Sequence, residues 1–108
     1  MDVSDTLTDI TNRIIKRIDD YEKKEVSLSD TLYYILDDRR CVKHLAEENP
    51  NVDSDTMHLI LLTYYTSGKI MAMLINDECE VLDGKTEGKL SKQYAEMYFK
   101  SDLGKGNG

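Results

Sequence analysis

Residues 54–82 narrow most what this chain can become. Asp53, Ser54 and Asp55 are competent helix caps, and Asp83-Gly84 supplies a stop. Between them Met57, Ile60, Leu61, Tyr64, Gly68, Met71, Ala72, Ile75, Cys79 and Leu82 recur at helical spacing as the main stripe. Leu59, Leu62, Ile70, Met73 and Leu74 lie on the reverse side, and only His58, Lys69, Asn76 and Glu80 form a polar strip. A short strand over 59–65 is the local competitor, but its place inside a long capped segment favours helix. A helix apolar nearly all round has to be covered, by neighbours in its own chain or by another chain.

Three further segments offer that cover. From Ser4 to Lys24, the residues Val3, Leu7, Ile10, Ile14, Ile18 and Tyr21 make one narrow stripe. Asp9–Arg13, Asp19–Lys23 and Asp20–Lys24 stand at i,i+4 in the favourable acid-first order. From Leu28 to Glu48, opened by Ser27 or Ser29 and closed by Asn49-Pro50, the residues Leu28, Leu32, Ile35, Leu36, Val42 and Ala46 share a face. Tyr34, Cys41 and Leu45 make a smaller second patch. From Leu90 to Lys100, the residues Leu90, Tyr94, Met97 and Tyr98 face one way. The expected fold is therefore all-α, a bundle of about four helices in a single domain over 1–101, with a Gly-rich tail over 102–108. The third helix is central, and its reverse face of Leu59, Leu62, Ile70, Met73 and Leu74 is the expected interface of a homo-oligomer, most simply a dimer.

Charge limits the partners. The net charge is −7, although residues 85–108 carry five basic and three acidic groups. An acidic body repels phosphate backbones, so direct nucleic-acid binding is disfavoured and a basic protein surface is the expected partner. Asp19, Asp20, Glu22, Glu25, Asp37 and Asp38 are the candidate contacts for it. Tyr33 lies outside both apolar patches of its helix and joins them as an exposed aromatic. Arg39 falls inside the main stripe between Ile35 and Val42, where it must snorkel, pair with a carboxylate or meet an anion, and it too is a candidate contact. The longest run free of Asp, Glu, Lys and Arg, Thr56 to Gly68, is too short to cross a bilayer, so no membrane partner is expected. Two cysteines and no secretory leader suit a reducing cytoplasm, that of a bacterial host if the chain is phage-encoded.

Catalytic constellations are sparse. Cys41-x-x-His44 has ligand-like spacing, but His58 and Cys79 stand 21 positions apart and do not form the second tight pair of a structural zinc site; no metal or cofactor is expected. Glu22-x-x-Glu25 and Glu80-x-x-Asp83 resemble the carboxylate pieces of helical nucleotide pyrophosphohydrolases of the MazG type. The resemblance covers these four residues, across a gap longer than that family's pattern. It implies a Mg²⁺-dependent hydrolase as the alternative function. A nucleotide-sequestering oligomer using Arg39 and the tyrosines is a second alternative. The leading expectation is a non-enzymatic interaction protein that neutralises a basic, nucleic-acid-handling partner. Small phage inhibitors and bacterial immunity proteins share this profile as an analogy of class.

Overall fold

The computed structural model describes residues 2–82, 95, 96, 99 and 100, with the backbone alone for 77–82. It is all-helical. Helix α1 spans Val3–Glu22, α2 Leu28–Glu48 and α3 Ser54–Leu82. Short turns join helices of 20, 21 and 29 residues, so consecutive helices run antiparallel, and all three pack on one another.

Each helix begins where a side chain replaces a missing backbone acceptor. Asp2 Oδ1 accepts from the Ser4 amide at 3.3 Å, Ser27 Oγ from Asp30 at 3.1 Å, and Asp53 Oδ1 from Thr56 at 2.6 Å. The Thr56 side chain and amide hold the Asp53 carboxyl below the usual carboxylate range. Helix α1 stops two residues short of the expected Lys24 because Lys24 turns left-handed, with φ 63°. There the Lys24 amide donates to Tyr21 O and the Glu25 amide to Asp20 O, a two-bond C-terminal cap usually closed by glycine.

The core is Leu7, Ile10, Ile14 and Ile18 from α1, Ile35 and Val42 from α2, and Ile60, Ile70 and Leu74 from α3, with Ala95 and Phe99. The α1 stripe is the expected one. The α3 stripe is not. Its buried face is Ile60, Thr63, Thr66, Ser67, Ile70 and Leu74, rotated by about a third of a turn from the apolar stripe. The hydroxyls explain the rotation. Thr63 Oγ1 donates to Leu59 O at 2.8 Å and Ser67 Oγ to Tyr64 O at 2.8 Å. A hydroxyl bonded to its own helix needs no water and packs as a small apolar group.

Two expectations fall with that rotation. Ile70 and Leu74 are fully buried within the chain, Leu59 and Met73 pack partly buried against the same core, and Leu62 is half-buried, so Ile70 and Leu74 at least face inward within one chain. Conversely Leu61, Tyr64 and Ile75 of the expected main stripe point outward. Of the fourth helix, Leu90, Tyr94, Met97 and Tyr98 lie outside the described residues, as does the 102–108 tail. Ala95, Glu96, Phe99 and Lys100 are helical, and Ala95 and Phe99 are the members that reach the core. By length and composition, Ser54–Asn76 is apolar enough to cross a membrane, because a stretch that tolerates two charges runs on past Lys69. A 33% share of its most apolar window is buried in the bundle.

The rotated face sets a stability contrast between adjacent residues. Leu74→Ala should cost about 2–5 kcal/mol, as for a filled core site, and Ile75→Ala less than about 1 kcal/mol. Urea unfolding of the two variants at equal m-value checks the difference.

Candidate functional site

The candidate contacts divide into three groups once placed in the bundle. Asp19 and Asp20 are spent locally: Lys23 Nζ lies 3.0 Å from Asp19 and Lys16 Nζ 3.2 Å from Asp20. The expected Asp20–Lys24 pair gives way to Lys16–Asp20 because Lys24 has left the helix. Glu22 is exposed and engaged within the chain. Glu25, Tyr33 and Asp37 are exposed.

Asp38 corrects the acidic-surface expectation. It is 3% exposed, on the α2 face that meets α1. Arg13 Nε donates to its Oδ1 at 3.2 Å, and Arg17 Nε stands 3.7 Å from Oδ2. That second distance exceeds a hydrogen bond, so Oδ2 and Arg17 Nε are buried without one. Burial pushes the Asp38 carboxyl above its ordinary range, while the two guanidinium groups pull it back. Arg13 thus reaches across to α2 instead of pairing with Asp9. The acid is an inter-helix strut and is not free to meet a partner. Arg17 also lies 4.7 Å from the Tyr34 ring centroid, and Tyr34 meets Tyr33 edge-on at 6.1 Å.

Arg39 resolves differently. It crosses to α3, where Nε donates to Ser67 Oγ at 3.0 Å and to Tyr64 O at 3.3 Å, and Nη2 donates to Tyr64 O at 3.2 Å. Its guanidinium carbon lies 4.0 Å from the Tyr64 ring centroid. A Cβ added to Gly68 would fall 2.8 Å from Nη2 and 3.1 Å from Cζ. Gly68 therefore makes room for an arginine between α2 and α3 of one chain.

Among the described residues, several large apolar side chains of α2 and α3 are exposed, and Tyr64 is the one in contact with Arg39. Leu61 (56% exposed), Tyr64, Tyr65 (63%) and Ile75 (46%) project from α3, and Leu36 and Tyr33 (65%) from α2. Tyr33 is legible as an exposed aromatic outside both patches of its helix, Leu61 and Ile75 only as members of the apolar stripe, and Tyr65 falls on neither face of that stripe. A separate cavity of about 400 Å³ lies between α1 and Leu59, Glu96 and Phe99. Its Thr8 and Thr11 hydroxyls donate back to Ser4 O and Leu7 O, and so do not converge on a ligand.

Among the described residues, no three or more His, Cys, Asp or Glu side chains gather as metal ligands. Cys41 is an exposed free thiol, where its apolar patch had suggested burial, and His44 Nδ1 faces Glu48 at 3.5 Å. Asp83 and the side chain of Glu80, needed for the hydrolase alternative, lie outside the described residues. Comparison with family models, curated proteins and solved structures gives no match.

The Asp38 strut has a signed pH dependence. Its raised native value means that the folded chain holds this proton to a higher pH than the unfolded chain. The corresponding stability is complete below the ordinary 3.8 and is lost as pH rises through the native value. Relative to Asp38→Asn, the wild type should thus lose stability across that interval in pH-resolved urea unfolding; the opposite slope would show a lowered value. At neutral pH the Arg13→Ala/Arg17→Ala pair should cost more than Asp38→Asn, because it strands a buried carboxylate. Screening of the half-exposed arginines keeps that cost near the lower end of about 1–3 kcal/mol.

Proposed function

We propose that this chain is a non-enzymatic interaction protein that binds another protein through the tyrosine and aliphatic surface of α2 and α3. The observation that carries the reading is that Leu61, Tyr65, Ile75 and Tyr33 are held outward while the core fills without them. Large apolar side chains kept in water gain free energy when a partner covers them, and tyrosine does so at low entropic cost. Exposed Glu25 and Asp37, with the net charge of −7, favour a partner whose wider surface is basic. A protein that occupies a basic surface competes with that surface's polyanionic ligand, which accounts for an inhibitory role against a nucleic-acid-handling enzyme of phage or bacterial setting.

Self-association is the second reading. Leu61, Tyr64, Gly68, Ala72 and Ile75 follow spacings of 3, 4, 4 and 3, a pattern that reads the same in reverse. A second α3 laid antiparallel would set Leu61 against Ile75 and Tyr64 against Ala72. The oligomer then forms on the outward face, opposite the face first expected.

Immobilised full-length chain should retain one protein from a bacterial lysate, identified by mass. Leu61→Glu and Tyr65→Glu should release it while leaving the unfolding free energy within about 0.5 kcal/mol of wild type. Asp37→Lys should slow its association and weaken the salt dependence. Retention that is indifferent to all three substitutions rules the reading out. Light scattering at the 12.4 kDa chain mass would dismiss self-association.

A further inference from the structure

We infer that the α2–α3 surface is a seat for an amphipathic helix of the partner that carries a carboxylate at its centre, with Arg39 as the anchor. This rests on the binding reading above and specifies the chemistry of the contacting segment.

Arg39 is held against α3 by several contacts at once. Its Nε and Nη2 are committed to Tyr64 O and Ser67 Oγ, and its plane lies against the Tyr64 ring and the bare backbone of Gly68. Its Nη1 has no acceptor, and no carboxylate pairs with it, among the described residues. The chain thus fixes a guanidinium in one orientation and leaves its outer donors unused. A free arginine side chain carries roughly 2 kcal/mol of rotamer entropy, which a partner would otherwise have to offset. Here the immobilisation is built in, so the ordering cost is met before a partner arrives.

The surroundings define the occupant. Tyr64 and Gly68 lie under the guanidinium, Leu61 is one turn before Tyr64 on α3, Ile75 continues the same ridge, and Leu36 is one turn before Arg39 on α2. Leu61 and Ile75 each stand seven residues from Gly68, about 10 Å along α3, so they match a helix with a carboxylate flanked by aliphatic residues about seven positions, or two turns, to either side. The planar fork then meets the carboxylate while the apolar side chains exclude water and strengthen the contact. Three other occupants fit less well. An acid-free apolar helix would cover Nη1 without an acceptor. A basic segment would meet like charge. A second copy, paired about Gly68, would bring two Arg39 guanidinium groups together. The acidic body still draws in a partner that is basic elsewhere, since long-range steering and the central contact are separate effects.

The test pans a displayed library of helical peptides, randomised on one face, against the full-length chain. Enriched peptides should carry Asp or Glu between aliphatic residues. Their affinity should fall on the order of tenfold on Arg39→Gln, less on Arg39→Lys, and also on Gly68→Ala, whose methyl displaces the guanidinium without removing it. Urea midpoints of these variants separate lost binding from lost fold, and Gly68→Ala decides if Arg39→Gln does not fold. Enriched peptides lacking an acid, equal affinity for Arg39→Gln, or no enrichment would overturn the inference. So would an Arg39-dependent dimer in light scattering, or capture by phosphatidylglycerol vesicles that Leu61→Glu abolishes. A lysate partner lost with Leu61→Glu but kept by Arg39→Gln would leave the binding reading standing and remove this one.

Discussion

The fold depends on the way α3 satisfies its own hydroxyls. Thr63 and Ser67 donate to carbonyls of the same helix, which lets the Ile60–Thr63–Thr66–Ser67–Ile70–Leu74 face enter the core. Once that face is inside, Leu61, Tyr65 and Ile75 must be outside, since they stand on the other side of the same cylinder. The exposed ridge is therefore a consequence of core packing.

Two arginine–acceptor contacts then fix how α2 sits. On one side Asp38 reaches toward Arg13 and Arg17 of α1; on the other Arg39 reaches Tyr64 and Ser67 of α3. Adjacent residues on a helix diverge by about 100°, so one dipeptide serves two neighbours. The two contacts differ in kind. Asp38 is a buried charge with counter-charges that remain partly in water, a costly arrangement that specifies orientation more than it stabilises. Arg39 keeps its charge at the surface and uses a backbone carbonyl, a hydroxyl and a ring as its partners.

Much of this was legible in the chain. The caps at Ser27 and Asp53, the stop at Asn49-Pro50 and the α1 stripe follow from local chemistry, which does not depend on neighbours. Gly68 was legible as a close approach, and its cause is the Arg39 side chain. What was not legible depended on partners far along the chain. Thr63, Thr66 and Ser67 count as polar in the sequence, and periodicity alone does not reveal that the Thr63 and Ser67 hydroxyls find helix carbonyls and let this side turn inward. Asp38 looks like its neighbour Asp37 until Arg13 and Arg17, a helix away, take it inside. Lys24 ends α1 early because its backbone turns left-handed, a state that lysine does not announce. The outward ridge is hidden for the same reason, since Leu61 and Ile75 share the apolar stripe that periodicity alone places inside.

The central claim is that one side of α3 is core and the other is a free surface. Hydroxyl-radical footprinting of the unmodified chain measures this side by side. The account predicts rapid oxidation of Leu61, Tyr65 and Ile75 and strong protection of Ile60, Ile70 and Leu74. Equal protection of both sets in the free chain, or protection of Leu61 and Tyr65 with oxidation of Ile70 and Leu74, would contradict it.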